Sequence, residues 1–150
     1  MEEVGLRGAR TVTESVDPDV AIVLEGPYAD DGPAVDAAAA QNRLGGAVQV
    51  RLYDPTMIAN PRLCDLVVET ARSRGIPHQV AVWAAGGTDA GAVHGARRGV
   101  PAIVLGVPVR YIHSHVSIID LDDYLAALEL LLHLVPLLDR SVVARLNGTD

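Results

Sequence analysis

Apolar residues gather in short runs along this chain, separated by segments where they recur every three or four positions. Val20-Ala21-Ile22-Val23-Leu24 is an unbroken apolar run closed by Glu25-Gly26-Pro27, the pattern of a strand buried on both faces. Ala47 to Leu52 alternates instead, with Val48, Val50 and Leu52 on one side, which predicts a half-exposed strand. A helix should follow. Asn60 can cap it, Pro61 suits its first position, and Leu63, Leu66, Val67 and Ala71 share one face. Gly75 and Pro77 stop it. Gln79 to Trp83 predicts another strand, after which a Gly86-Gly87 loop leads to Thr88, a cap for a helix ending near Gly99. Ala102 to Val107 is a further apolar strand. Asp120 should cap the last helix, whose Leu121, Leu125, Leu128, Leu132 and Val135 form a broad stripe expected to pack on the sheet.

Strands alternating with helices imply an α/β fold: a three-layer sandwich with a mostly parallel sheet, in which one antiparallel edge is allowed. Tyr28 to Gly46 has no periodicity and reads as a long loop, a feature that in compact domains is often functional. The division expected is one domain over residues 1–140 and a loose tail over 141–150.

Composition narrows the picture. A chain of 150 residues with 49% hydrophobic and 21% charged residues is long enough for one globular domain with its own core. It has no Phe and one Trp, so the interior must be built from Val, Leu, Ile and Ala. Twelve basic against nineteen acidic residues give a net charge of −7, and the Arg residues are scattered, so no nucleic-acid partner is expected. Cys64 is alone, which excludes an intrachain disulfide and suits a reducing compartment. The start Met1-Glu2-Glu3 has no basic-then-apolar pattern of a secretory leader. The longest apolar run, Leu125 to Leu138, is broken by Glu129, His133 and Pro136 and is too short for a bilayer. A cytoplasmic protein without a membrane partner is the expectation.

The candidate chemistry lies in a few short segments. Glu2 and Glu3 are adjacent carboxylates ahead of Gly5, and His113 sits in the otherwise apolar, extended stretch Arg110-Tyr111-Ile112-His113-Ser114. Carboxylate oxygen and imidazole nitrogen are ligands of zinc and its neighbours, and paired carboxylates allow one to hold metal while the other moves a proton. Taken singly, an acidic pair is more often a solvated surface, and a lone His a hydrogen-bonded structural residue. Glu25 ends a strand, where sites gather in α/β sheets. The loop Gly86-Gly87-Thr88-Asp89-Ala90-Gly91 could receive an anion at a helix start, but it lacks the Lys of a phosphate loop and the dinucleotide spacing. A tight turn with a Thr cap explains it equally well.

In combination, Glu2-Glu3-Val4-Gly5-Leu6-Arg7-Gly8-Ala9, Leu24-Glu25-Gly26, the Gly86–Gly91 loop and Pro108-Val109-Arg110-Tyr111-Ile112-His113-Ser114 resemble the co-catalytic metallo-aminopeptidases that assemble into tetrahedral particles. These are the glutamyl and deblocking type, some labelled cellulase M, and the likeness runs from Glu2 to about Leu138. It implies a metal-dependent aminopeptidase that releases N-terminal residues from short peptides. Glu2 would be the general base or acid, and Glu3, Glu25 and His113 the metal ligands. Thr88, Asp89 and Arg110 would position substrate or support the metal ligands from behind. The likeness implies two divalent ions, zinc or cobalt with manganese as an alternative, and a homo-oligomer. His115 departs from the family, which usually has Pro there.

In that family the double Glu falls near mid-chain, and a bridging Asp and a further His lie upstream of it. Glu3 and His113 would then share one ion and Glu25 would serve the other, whereas catalytic zinc normally has three protein ligands. The chain therefore reads as the C-terminal portion of a zinc-aminopeptidase-like catalytic domain, inactive alone and needing further copies or a complementing N-terminal half. The alternative is a non-catalytic remnant or subunit that binds a partner chain. A glycosidase fits poorly, because adjacent Glu2 and Glu3 would not bracket a glycosidic bond at about 5–9.5 Å. Glu3, Glu25 and His113 are expected to converge at the C-terminal edge of one sheet, with Glu2 beside them.

Overall fold

The computed structural model describes residues 1–149 other than Ala34 and Ala37. Its centre is a five-stranded sheet. Strand β1 (Ala21–Glu25) runs parallel to β5 (Ala102–Gly106), with Ala21 opposite Ala102 and Glu25 opposite Gly106. Strand β2 (Val48–Asp54) runs parallel to β4 (His78–Val82), and β3 (Met57–Ile58) folds back on it as a short hairpin. The two parallel pairs meet where β2 lies antiparallel to β5, Val50 opposite Leu105. The sheet of this α/β sandwich is thus mixed: two parallel pairs meet at an antiparallel junction in its middle, and the short β3 adds a second antiparallel pairing at an edge, where the sequence suggested a mostly parallel sheet.

That topology inverts two burial expectations. β1 was read as buried on both faces, yet it pairs with β5 alone among the described residues, and its Leu24 is 61% exposed. β2 was read as half exposed, yet Val48, Gln49, Val50 and Arg51 are all buried. It has strand neighbours on both sides and helices α2 (Pro61–Arg74) and α4 (Leu121–Leu134) against it. Central position, not hydrophobicity, decides which strand is dry.

Helix α2 forms as its pattern dictates. Asn60 Oδ1 accepts from Leu63 N at 3.1 Å, Pro61 opens the helix, and Gly75 closes it at φ 68°. Leu63, Val67 and Ala71 are fully buried against the sheet. Thr88 caps the short α3 (Asp89–His94), which ends well before Gly99 and packs on β1 and β5. An amphipathic α1 (Arg7–Val16), not anticipated, lies against α3 with Thr13 buried. The described residues of the 28–46 segment are irregular but held in place by hydrogen bonds. Asp30 accepts from Gln41 N and Asn42 N, and Asn42 Nδ2 donates to Tyr28 O at 2.6 Å.

Helix α4 is capped by Asp120, as expected, but turns a different face inward. Asp123, Ala126, Leu130 and Leu134 are buried, whereas Leu121 (65% exposed), Leu125, Leu128, Leu132 and Val135 face out. The expectation that the second set packs on the sheet is therefore wrong. α4 is apolar around most of its circumference, so its periodicity does not choose a face; Asp123 does. Its carboxylate accepts from Gly45 N at 2.8 Å and Ala47 N at 2.6 Å, satisfying two backbone donors that no leucine could.

Burial pushes the Asp123 carboxyl above its ordinary range, with the two N–H donors opposing the shift. A carboxyl raised in the folded state keeps its proton to higher pH than in the unfolded chain. It therefore lowers stability as pH climbs from the unfolded value of about 3.9 to the raised one. Asp123→Asn should abolish that acid-range slope. At pH 7 it should also cost about 1–3 kcal/mol, because one backbone donor would then face an amide NH₂. Urea unfolding across pH 4–7 measures both effects.

The C-terminal tail is not loose. Residues 140–147 form α5 (Arg140–Asn147), capped by Asp139 Oδ1, which accepts from Val142 N at 2.9 Å and is held below the usual carboxylate range by that bond. Leu146 is buried in the core, and its carbonyl accepts from Asn60 Nδ2 at 3.1 Å. Asp150, the end of the expected tail, lies outside the described residues. Among the described residues no helix is long and apolar enough to cross a membrane.

Candidate functional site

Glu25 is the last residue of β1, and the chain beyond it runs alongside the segment that follows β5. Val107 N donates to Glu25 O, Val109 N to Pro27 O, and Ala29 N to Val109 O, at 2.9–3.0 Å. The approach is close enough that a Cβ on Gly106 would stand 2.4 Å from Pro27 Cγ, so glycine is required there. This zipper carries β6 (Val109–Arg110), paired with β7 (Ile118–Ile119), to the carboxyl end of β1.

His113 therefore lies not on a strand, as expected, but in the loop between β6 and β7. Tyr111 and His113 both take left-handed backbone, at φ 62° and 59°. Non-glycine residues there carry strain that surrounding structure must hold. Part of the hold is Ser114, whose Oγ lies 2.5 Å from Tyr111 O and 2.6 Å from Val116 O. At the other terminus a single 3₁₀ turn, Glu2–Val4, is closed by left-handed Gly5 and Leu6 before α1 begins. It brings Glu3 Oε1 to 2.9 Å from His113 Nε2. Both side chains are about two-thirds exposed, so this contact contributes little to stability.

Glu2, Glu3, Glu25, Thr88 and His113 line one cleft of about 530 Å³. Burial is the main cause raising the Glu2 carboxyl above its ordinary range. The charges of Glu3 and Asp89 add to it, and His113 and the N-terminal amine oppose it. Glu25 is raised first by burial and then by Glu2, against the pull of Arg51. A cluster of carboxylates that share such a site resists full ionisation and attracts cations. Asp89 acts on it through its charge without lining the cleft. Arg110 stands apart: its Nη2 pairs with Asp31 Oδ1 at 2.8 Å, and it is not on the cleft wall.

Whether this donor set fits a metal can be judged from its geometry. Glu3 and His113 present an oxygen and a nitrogen to one point, the donor chemistry of a zinc-type ion. Glu25 lines the same cleft. Among the described residues, however, no three His, Cys, Asp or Glu side chains come together around one ion position. The fit is to part of a ligand set.

Two cleft residues escaped the sequence reading. Arg51 on β2 is only 7% exposed, and its Nη1 lies 3.3 Å from Asp54 Oδ2. Its Nε donates to Gln49 Oε1 at 3.4 Å, and its guanidinium stands 5.9 Å from the centroid of the Trp83 ring. Trp83 Nε1 is buried without a hydrogen-bond partner among the described residues. The only signal was Gln49 and Arg51 on the polar side of an alternating strand, which reads as solvent-facing until the opposite wall is known.

Comparison with known proteins gives a consistent result. A family model described as M42 glutamyl aminopeptidase matches residues 1–130. The glutamyl aminopeptidase of Lactococcus lactis subsp. cremoris is 40% identical over 148 residues, which is 98% of this chain and 40% of that protein. The crystal structure of a TET aminopeptidase from a marine sediment Thaumarchaeota archaeon superposes with a TM-score of 0.92 at 41% identity, covering 96% of this chain and 40% of its own. A Pyrococcus horikoshii TET1 peptidase, which can assemble into a tetrahedron or a large octahedral shell, matches with a TM-score of 0.66 at 28% identity, over 89% of this chain and 38% of its own. The chain spans about 40% of the length of these relatives.

Proposed function

The chain belongs to the M42 glutamyl aminopeptidase family, and from that membership we propose that its cleft is the carboxylate–imidazole side of a metal-dependent aminopeptidase site. Glu3 and His113 would hold one divalent ion, zinc or cobalt with manganese as an alternative, and Glu25 would serve a second. A divalent ion so held supplies Lewis-acid polarisation of the scissile carbonyl. The rest falls to the chain's own groups. Glu2, beside Glu3 on the cleft wall, takes a proton from water on one carboxylate oxygen and returns it to the leaving amine of the peptide. Thr88 and the Gly86–Gly87 backbone wall the cleft where the peptide would enter, and Asp89 acts on both carboxylates through its charge.

Arg51 indicates the substrate class. A guanidinium buried in the cleft wall, with donors left over from its contacts to Asp54 and Gln49, matches a carboxylate on the first residue of the peptide. The short peptide would thus begin with an acidic residue, in keeping with the name of the Lactococcus relative.

The chain would work within a larger assembly. Leu121, Leu125, Leu128 and Leu132 remain exposed on α4, with Leu128 sharing a small cleft with Leu24 of β1, and a second copy or a complementing chain can cover them. The incomplete donor set also favours a second reading, a binding subunit that holds a metal or partner without turnover.

The observation that carries the main reading is the 2.9 Å approach of Glu3 to His113 across 110 residues of sequence. Calorimetric titration with zinc tests it. One ion should bind weakly, because the cleft offers one ion only two converging donors. Glu3→Gln and His113→Ala should each weaken that binding by more than the ~10–100-fold typical of losing an outer-shell partner. Zinc affinity unchanged in His113→Ala would remove His113 from the site.

A further inference from the structure

The Gly86–Gly91 loop is explained by what lies under it. A Cβ on Gly87 would stand 2.7 Å from Thr56 Cγ2, and one on Gly91 would stand 2.5 Å from Thr56 Oγ1. Neither position tolerates a side chain while Thr56 holds its place, so the two glycines form the seat of Thr56. From that seat Thr56 donates to Asp54 Oδ1 twice, through Oγ1 at 2.6 Å and through its backbone N at 2.9 Å. Asp54 is fully buried, and its other oxygen, Oδ2, meets Arg51 Nη1 at 3.3 Å.

Arg51 is thus gripped on one side only. Asp54 and Gln49 take Nη1 and Nε, whereas Nη2 has no hydrogen-bond partner among the described residues and the side chain lines the cleft. A buried guanidinium without its carboxylate would be an uncompensated charge and would leave the wall for solvent. A carboxylate free to rotate would not hold one edge of the planar fork while presenting the other. Thr56 removes that freedom. The glycine loop, Thr56, Asp54 and Arg51 form one continuous chain of contacts ending at the cleft.

We propose that Asp54 and Thr56 are positioning residues that aim the free edge of the Arg51 guanidinium at the acidic side chain of the substrate, and that Gly87 and Gly91 serve this by seating Thr56. The proposal rests on Arg51 being the acid-recognising group, as argued above.

The test needs no turnover. Trp83 is the only tryptophan of the chain, and its ring lies beside the Arg51 guanidinium, so its emission reports on that group. The full chain is titrated with L-glutamate and with its neutral counterpart L-glutamine, followed by Trp83 fluorescence and by calorimetry. The wild type should prefer glutamate by about tenfold or more, the value of one charge-assisted contact. Arg51→Met should remove the preference. Thr56→Val and Asp54→Asn should reduce it to about threefold or less. Both should lose more glutamate than glutamine affinity and shift the ligand-free Trp83 emission. Thr56→Ser, which restores the hydroxyl, should recover the wild-type preference. Because Asp54 is buried, thermal unfolding is followed for each variant, and Thr56→Val decides the matter if Asp54→Asn does not fold. A folded Thr56→Val with the full preference would overturn the positioning role and leave Arg51 as the recognising group. A wild type that binds both amino acids alike would overturn the acid-selective reading of Arg51, and the positioning role with it.

Discussion

With zinc or cobalt added, the purified 150-residue chain should show no aminopeptidase turnover approaching that of a complete family member. Two-metal hydrolysis would need two ions held about 3.5–4 Å apart by a complete set of ligands. Here Glu3 and His113 converge, Glu25 lines the cleft, and no third donor joins any one ion position among the described residues. Removing a single preorganised stabilising donor costs about 10²–10³ in rate, so lacking part of that ligand set should cost more. The measurement is release of nitroaniline from glutamyl- and leucyl-nitroanilide, with Glu2→Gln as the control. Adding a separately expressed polypeptide spanning the portion of a longer relative that this chain does not match should restore Glu2-dependent turnover. If restoration fails while zinc still binds, the binding-subunit reading stands in place of the enzyme reading. Robust turnover by the chain alone, abolished by Glu2→Gln, would mean that the site is complete by a route the described residues do not provide.

Leu130→Ala should destabilise the chain by about 2–5 kcal/mol, whereas Leu128→Ala should cost well under ~1 kcal/mol. Leu130 is fully buried on the inward face of α4, the helix that packs on β2 and α2, so truncating it opens a cavity in the core. Leu128 is 40% exposed on the opposite stripe, so most of what truncation removes already meets water. Urea unfolding of the two variants, each at two protein concentrations, separates packing from association. Equal losses for both would mean the stripe is covered in solution. A midpoint for the wild type that rises with protein concentration would identify the cover as a second copy of the chain.

Local chemistry was legible without the fold. Asn60, Thr88 and Asp120 cap the helices they were expected to cap, because a capping side chain reaches only the next turn. The four strands expected, β1, β2, β4 and β5, fall within a residue or two of their apolar runs, whereas the two-residue β3, β6 and β7 were not anticipated. The family was legible too, since its motifs are short and contiguous. α5 could have been found from Asp139 ahead of Val142, Val143 and Leu146, the pattern used successfully elsewhere in the chain.

What sequence alone determined, then, is everything set by neighbours along the chain: caps, strand runs, the glycine-bounded turns, and the short segments that bear carboxylate and imidazole. Tertiary structure decided what depends on neighbours across space. It made β2 the buried strand and β1 the edge, because burial follows position in the sheet. It turned Asp123 rather than Leu125 inward, because two backbone N–H groups of a distant loop need an acceptor and α4 is apolar on nearly every side. It moved His113 off a strand and into a strained loop, 2.9 Å from Glu3. It also brought Arg51 to the cleft: periodicity can mark a residue as facing away from the core, but only the opposing wall determines whether that side is solvent or a binding site.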